Sequence, residues 1–87
     1  MTEQYKKLKF KARRGMLELD LLLQNYLDNN YSFMSDDLKY QFELLMDYSD
    51  PELLSWLIME LSPDTDINNN LAEIIQAIMV AKQNIKI

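Results

Sequence analysis

Residues 13–30 read RRGMLELDLLLQNYLDNN, and the spacing of their apolar positions decides the fold. Leu19, Leu22, Leu23, Tyr26 and Leu27 recur at the i, i+3, i+4, i+7, i+8 intervals of a helix that turns one broad face to a core. Asn29 and Asn30 end that run, because short amides tolerate a left-handed turn and compete for backbone hydrogen bonds. Upstream, Tyr5, Leu8 and Ala12 make a narrower stripe on a short basic helix, expected to stop at Gly15. Downstream, the Ser35 hydroxyl can cap a third helix whose first turn holds Asp36 and Asp37, where negative charge suits the helix dipole. Its buried face would be Leu38, Phe42, Leu45 and Met46. Ser49-Asp50-Pro51-Glu52 then ends one helix and starts another. Proline fits the first helical position, and Asp50 is the expected cap.

The fourth helix offers Leu53, Leu54, Trp56, Leu57, Ile58 and Leu61, and Pro63 closes it. Thr65 or Asp66 would cap a last helix carrying Ile67, Leu71, Ile74, Ile75, Ile78 and Met79, with a loose tail after Asn84. Strand-like alternation, internal repeats and low-complexity stretches are all missing from the sequence. The fold class expected is all-α: a compact single-domain bundle of about five helices, ordered over about residues 4–83 and joined by short connections.

Composition narrows the chemistry. At 87 residues the chain has room for one domain, and such a chain buries only about 60–65% of its unfolded surface. It has no histidine and no cysteine, which excludes thiolate nucleophiles, Ser-His-Asp triads and nitrogen or sulfur metal sites. Gly15 is the only glycine, so no glycine-rich phosphate cradle can form. The fourteen acidic residues show no pairing that separates catalytic carboxylates from a solvated helix face. The expectation is a binding protein with no catalytic, cofactor-binding or metal residues.

Charge is split along the chain. Residues 1–14 carry Lys6, Lys7, Lys9, Lys11, Arg13 and Arg14 against Glu3, a net of +5, while the remainder carries −10. Such a division suits docking onto a protein of mixed electrostatics. The acidic body would repel a phosphate backbone, so no nucleic-acid partner is expected. No apolar run approaches the roughly 20 residues that span a bilayer, and no secretory signal opens the sequence. A cytoplasmic protein, monomeric when free and not inserted in a membrane, fits these features.

Residues 13–20, Arg-Arg-Gly-Met-Leu-Glu-Leu-Asp, carry a family likeness. The sequence resembles the small bacterial factors that promote covalent attachment of FAD to the flavoprotein subunit of succinate dehydrogenase. Their signature, Arg-Gly-x-x-Glu, is matched by Arg14, Gly15 and Glu18, and its longer bacterial form by Arg13, Met16, Leu19 and Asp20. Tyr31, Ser35-Asp36-Asp37, Lys39 and Phe42 resemble a second block. Asp50-Pro51-x-Leu53-x-x-Trp56-Leu57 resembles a third, so the likeness covers about residues 5–80. It implies a chaperone-like assembly factor that binds the flavoprotein before the enzyme assembles. The fumarate reductase flavoprotein is implied as a second client. The FAD belongs to the client, where its methyl carbon is joined to a histidine, and no tight binding of FAD by this chain is expected. The partner-binding residues it implies are Arg13, Arg14, Gly15, Met16, Glu18 and Asp20, joined by Lys11, Asp50 and Trp56.

Plainer roles exist for the same residues. Gly15 could simply be a helix stop. With Gly15 as the cap of the second helix, Glu18 would fall three residues in and reach back to an orphan N–H. Arg14 precedes Glu18 by four, the poorer order for a helix pair, and so is expected to face outward as an interface anchor. Trp56 could serve as core or as exposed anchor, with core burial favoured by Leu53 and Leu57 beside it. Two rival functions also fit a chain of this kind. One is a regulatory adaptor or antitoxin-like module, which would bring down a toxin or signalling partner. The other is an enzyme working with carboxylates alone or with its own flavin, which would be coloured or active when pure.

Overall fold

The computed structural model describes residues 2–84, apart from the side chain of residue 68. The expected tail after Asn84 lies outside the described residues. Among the described residues five α-helices follow one another: α1 (Glu3–Lys11), α2 (Leu17–Asn30), α3 (Asp36–Leu45), α4 (Asp50–Leu53) and α5 (Thr65–Asn84). A 3₁₀ turn, Tyr31–Phe33, joins α2 to α3, and a π-helical turn, Leu54–Ile58, continues α4. Among the described residues there is no strand, as the periodicity requires.

The core is where the apolar stripes meet. Leu19, Leu22, Leu23 and Leu27 of α2 are fully buried, facing Phe42 and Leu45 of α3 and Ile74 and Ile78 of α5. The Tyr26 and Phe42 rings lie parallel with centroids 6.1 Å apart. From α1 come Leu8 and, just past its end, Ala12. Ile75, expected in the core, is only half-buried, because Ile74 and Ile78 occupy the inward positions of α5. One polar residue is buried that the sequence did not single out. Gln41 accepts a hydrogen bond from the Ile74 amide (3.2 Å) and donates to Asp37 Oδ2 (2.8 Å), tying α3 to α5.

Helix ends differ from expectation in several places. Ser35 caps α3 as expected, its hydroxyl accepting from the Leu38 amide. At α4 the cap is Ser49 instead of Asp50: Ser49 and Glu52 form a reciprocal capping box, and Asp50 is the first helical residue. Proline fits the second position there as well as the first, so Pro51 did not fix the register. Thr65 and Asp66 lie inside the first turn of α5 and not ahead of it.

Leu61, expected on the buried face of the fourth helix, is exposed. The π turn is the cause. The Met59 amide reaches back five residues to Leu54 and the Leu61 amide six to Ser55, which breaks the 3.6-residue phase. Glu60 then reverses the chain at φ 58°, and Lys82 of α5 donates to the free carbonyls of Leu57 and Ile58.

Candidate functional site

Of the residues singled out as partner-binding, Lys11, Arg14, Gly15, Asp20 and Asp50 are joined by hydrogen bonds where α1 gives way to α2 and α3 gives way to α4. Helix α1 does not run to Gly15. It ends at Lys11 with Ala12 as its cap, leaving residues 13–16 as a short irregular corner. Gly15 stands at φ +80°, a conformation that penalises a side chain, and a Cβ there would meet nothing within 4 Å. The need for glycine is therefore a backbone need, not a packing one.

Helix α2 is capped by Met16, in extended conformation and without a side-chain hydrogen bond. Glu18 is thus the second residue of the helix, not the third, and makes no capping bond. The reach-back comes from Asp20, one turn in. Its two carboxylate oxygens accept from the Arg14 amide (2.6 Å) and the Gly15 amide (3.1 Å). An acid in the first turn is the signal that could have found this role, since a carboxylate there meets unpaired amides and the positive end of the dipole.

Arg14 does not face outward. Its side chain is 16% exposed, and its guanidinium donates four hydrogen bonds. Nε meets Asp50 Oδ1 at 2.7 Å, Nη1 meets the Lys11 and Met46 carbonyls at 3.0 and 2.8 Å, and Nη2 meets the Tyr48 carbonyl at 2.7 Å. Met46 and Tyr48 sit at the end of α3, where carbonyls lack helical partners, so a planar fork of donors is better matched to them than to one carboxylate. Lys11 adds longer contacts to Glu43 (3.7 Å) and Asp47 (3.6 Å), while Lys7 pairs closely with Glu43 (2.7 Å).

Exposure sorts the remaining residues. Arg13, Gly15 and Glu18 face solvent, and the Arg13 and Glu18 side chains have no hydrogen-bond or ionic partner among the described residues. Met16 is half-buried against the core. Trp56 is not at the surface: it is 8% exposed and meets the Tyr48 ring in a T-shaped arrangement with centroids 5.2 Å apart. It backs the corner from inside. Sequence reasoning passed over three exposed apolar side chains beside the motif, Phe10 (79%), Leu17 (76%) and Leu21 (42%). Leu17 and Leu21 share one side of α2, four residues apart. Their signal was a pair of leucines left over once the inward stripe was assigned.

Helix α1 is fastened along α2 by a second polar set. The Tyr5 hydroxyl and Lys9 ammonium both donate to Asp28, and Gln24 donates to the Lys9 carbonyl. The Lys9 bond, then the Tyr5 bond, holds the Asp28 carboxyl below its ordinary range, and the Asp28 bond raises the Tyr5 phenol. A cleft of about 530 Å³ lies elsewhere, between α3 and α5, lined by residues such as Asp37, Tyr40 and Asn70. None of the residues singled out from the motif lines it, so the corner, an exposed face and not a cavity, is the candidate site.

The described residues match, over 6–79, the family model described as flavinator of succinate dehydrogenase. The chain belongs to this family. Similar relatives carry the name FAD assembly factor SdhE. That of Shewanella oneidensis is 38% identical over 69 residues, 78% of this chain and 84% of its own length. The Colwellia psychrerythraea protein is 37% identical over 75 residues, covering 85% of this chain and 82% of the relative. The Coxiella burnetii protein is 38% identical over 60 residues, covering 69% and 73%. No solved structure matches the chain. The matched span, residues 6–79, includes the corner just described.

Proposed function

We propose that this chain is an assembly factor that binds the flavoprotein subunit of succinate dehydrogenase and promotes covalent attachment of FAD to it. The observation that carries the proposal is family membership across residues 6–79, with Gly15 and Glu18 displayed on a solvent-facing corner. The flavoprotein docks on Arg13, Gly15 and Glu18, flanked by Phe10, Leu17 and Leu21. A basic exposed arginine, bare backbone and apolar side chains in one place suit an interface centre with a polar rim. The related fumarate reductase flavoprotein is a second client. The factor works in the cytoplasm as a monomer before docking, with no nucleic-acid partner.

FAD itself is handled by the client. The amides ahead of α2, those of Arg14 and Gly15, are already taken by the Asp20 carboxylate. That anion site is filled from within, so the residues here do not fit a stand-alone dinucleotide site. The chain carries no histidine or cysteine for covalent chemistry. What remains to it is binding energy. A partner that prefers the reactive conformation of the flavoprotein raises its population by the ratio of the two affinities, and the client's own groups then join FAD to its histidine. The adaptor or antitoxin-like alternative is not favoured by the family match. Deleting the gene and measuring covalent flavin on the flavoprotein tests the proposal. Marked loss of bound flavin, restored by the gene in trans, is expected, and unchanged flavin overturns it.

A further inference from the structure

We infer that Arg14 and Asp50 act on the client without touching it, as a latch that fixes how Gly15 and Glu18 are presented. The inference rests on the docking face proposed above. The Arg14 guanidinium serves acceptors on three parts of the chain: the Lys11 carbonyl on α1, the Met46 and Tyr48 carbonyls at the end of α3, and the Asp50 carboxylate at the start of α4. Swinging out to reach a partner would leave those partly buried carbonyls unpaired and Asp50 without its cation, a change that opposes binding. Its neighbour Arg13 is exposed and free to make the charged contact instead.

The latch acts on the loop from one side and Asp20 holds it from the other. The Arg14 side chain pins the loop to α3 and α4, and the Arg14 and Gly15 amides are pinned to α2. Gly15, with φ +80° and no side chain, has no packing of its own to hold it in place. Its position follows from these anchors. A lysine at residue 14 cannot replace the fork: three donors on one nitrogen cannot meet four acceptors spread about a plane.

The test uses Arg14→Lys, Asp50→Ala and the double variant, each measured for melting temperature, for dissociation constant with purified flavoprotein well below melting, and for the Gly15 amide resonance. As the sole glycine, Gly15 is a convenient reporter. Each single variant is expected to shift that resonance in the free protein and to weaken binding about 10-fold, the scale of coupling within one hydrogen-bond network. The double variant is expected to bind no worse than the weaker single. If Asp50→Ala binds as the unaltered chain or more tightly while Arg14→Lys loses binding, Arg14 reaches the client directly and the inference fails. Additive losses, or lost binding with an unmoved Gly15 resonance, overturn it too. So does a melting loss in folded variants that bind normally. Should the unaltered chain not bind the flavoprotein at all, the client reading falls first, and the Gly15 shift alone then reports whether the latch holds the loop.

Discussion

Gly15 separates backbone strain from partner contact, because the structure gives the two effects different sizes for different side chains. At φ +80° any L side chain meets strain, and open space around the missing Cβ means no clash adds to it. Gly15→Ala is therefore expected to lower stability by about 1–2 kcal/mol, the cost of a left-handed residue with a Cβ. For a domain of this size that corresponds to a fall in melting temperature of about 4–16 °C. Gly15→Asn should lose less, since asparagine visits this conformation more readily. Gly15→Arg should melt close to Gly15→Ala, its longer side chain extending into solvent. Binding splits the pair. Alanine adds one methyl to the docking face, whereas arginine projects a long cation where the flavoprotein backbone must approach. The assay is thermal unfolding by circular dichroism beside a dissociation constant by calorimetry. Equal stability of Gly15→Ala and the unaltered chain would refute the strained corner. Gly15→Arg that binds the flavoprotein normally would refute its place in the interface.

Three further outcomes are expected. Truncating Leu22 or Phe42 to alanine should destabilise by about 2–5 kcal/mol, as deletion of fully buried groups does, and Ile75→Ala by less because it is half-buried; equal losses measured in urea would contradict the core assignment. Gln41→Leu should cost about 1–3 kcal/mol by leaving the Asp37 carboxylate and the Ile74 amide without their bridge, and a neutral result would mean that water or the helix supplies the partner. The Asp28 and Glu43 carboxyls are held below their ordinary values of 3.8 and 4.5, Asp28 chiefly by Lys9 and Glu43 chiefly by Lys7. Folded values below unfolded ones mean stability that is present above the unfolded values and lost as pH falls through the folded ones, so melting should hold steady above about pH 5 and decline below it. Replacing Lys7 and Lys9 with glutamine should flatten that decline, and an unchanged acid limb would show that other carboxylates govern it.

Much of the fold was legible because it rests on local rules. The stripe of Leu19, Leu22, Leu23 and Tyr26 needed only the helical period, and Ser35 with two aspartates behind it marked the start of α3 without ambiguity. What escaped were features set by partners distant in sequence. Arg14 was expected to face outward since no local acid stood in the right order, but three of its four acceptors lie 32 to 36 residues away: the Asp50 carboxylate and the Met46 and Tyr48 backbone carbonyls, which no side-chain pattern reveals. The burial of Gln41 depends likewise on an amide of α5. The π turn after Leu53 leaves carbonyls of Leu57 and Ile58 that Lys82 of α5 meets, and it put Leu61, expected in the core, at the surface. Of the site, most residues singled out from the sequence fall at one corner of the fold, and the geometry divides them. Arg13, Gly15 and Glu18 are displayed, while Arg14, Asp20, Asp50 and Trp56 hold the corner from within.

Covalent flavin on the client is the quantity that tests the central claim most directly. The flavoprotein subunit, produced in cells lacking the factor and supplied with FAD, is incubated with or without this purified chain, denatured, and read by ultraviolet fluorescence of its gel band. A clearly brighter band with the factor, from a chain that is itself colourless and turns over nothing alone, is the expected result. Equal fluorescence in the two lanes, with the factor shown to be folded, would contradict the account.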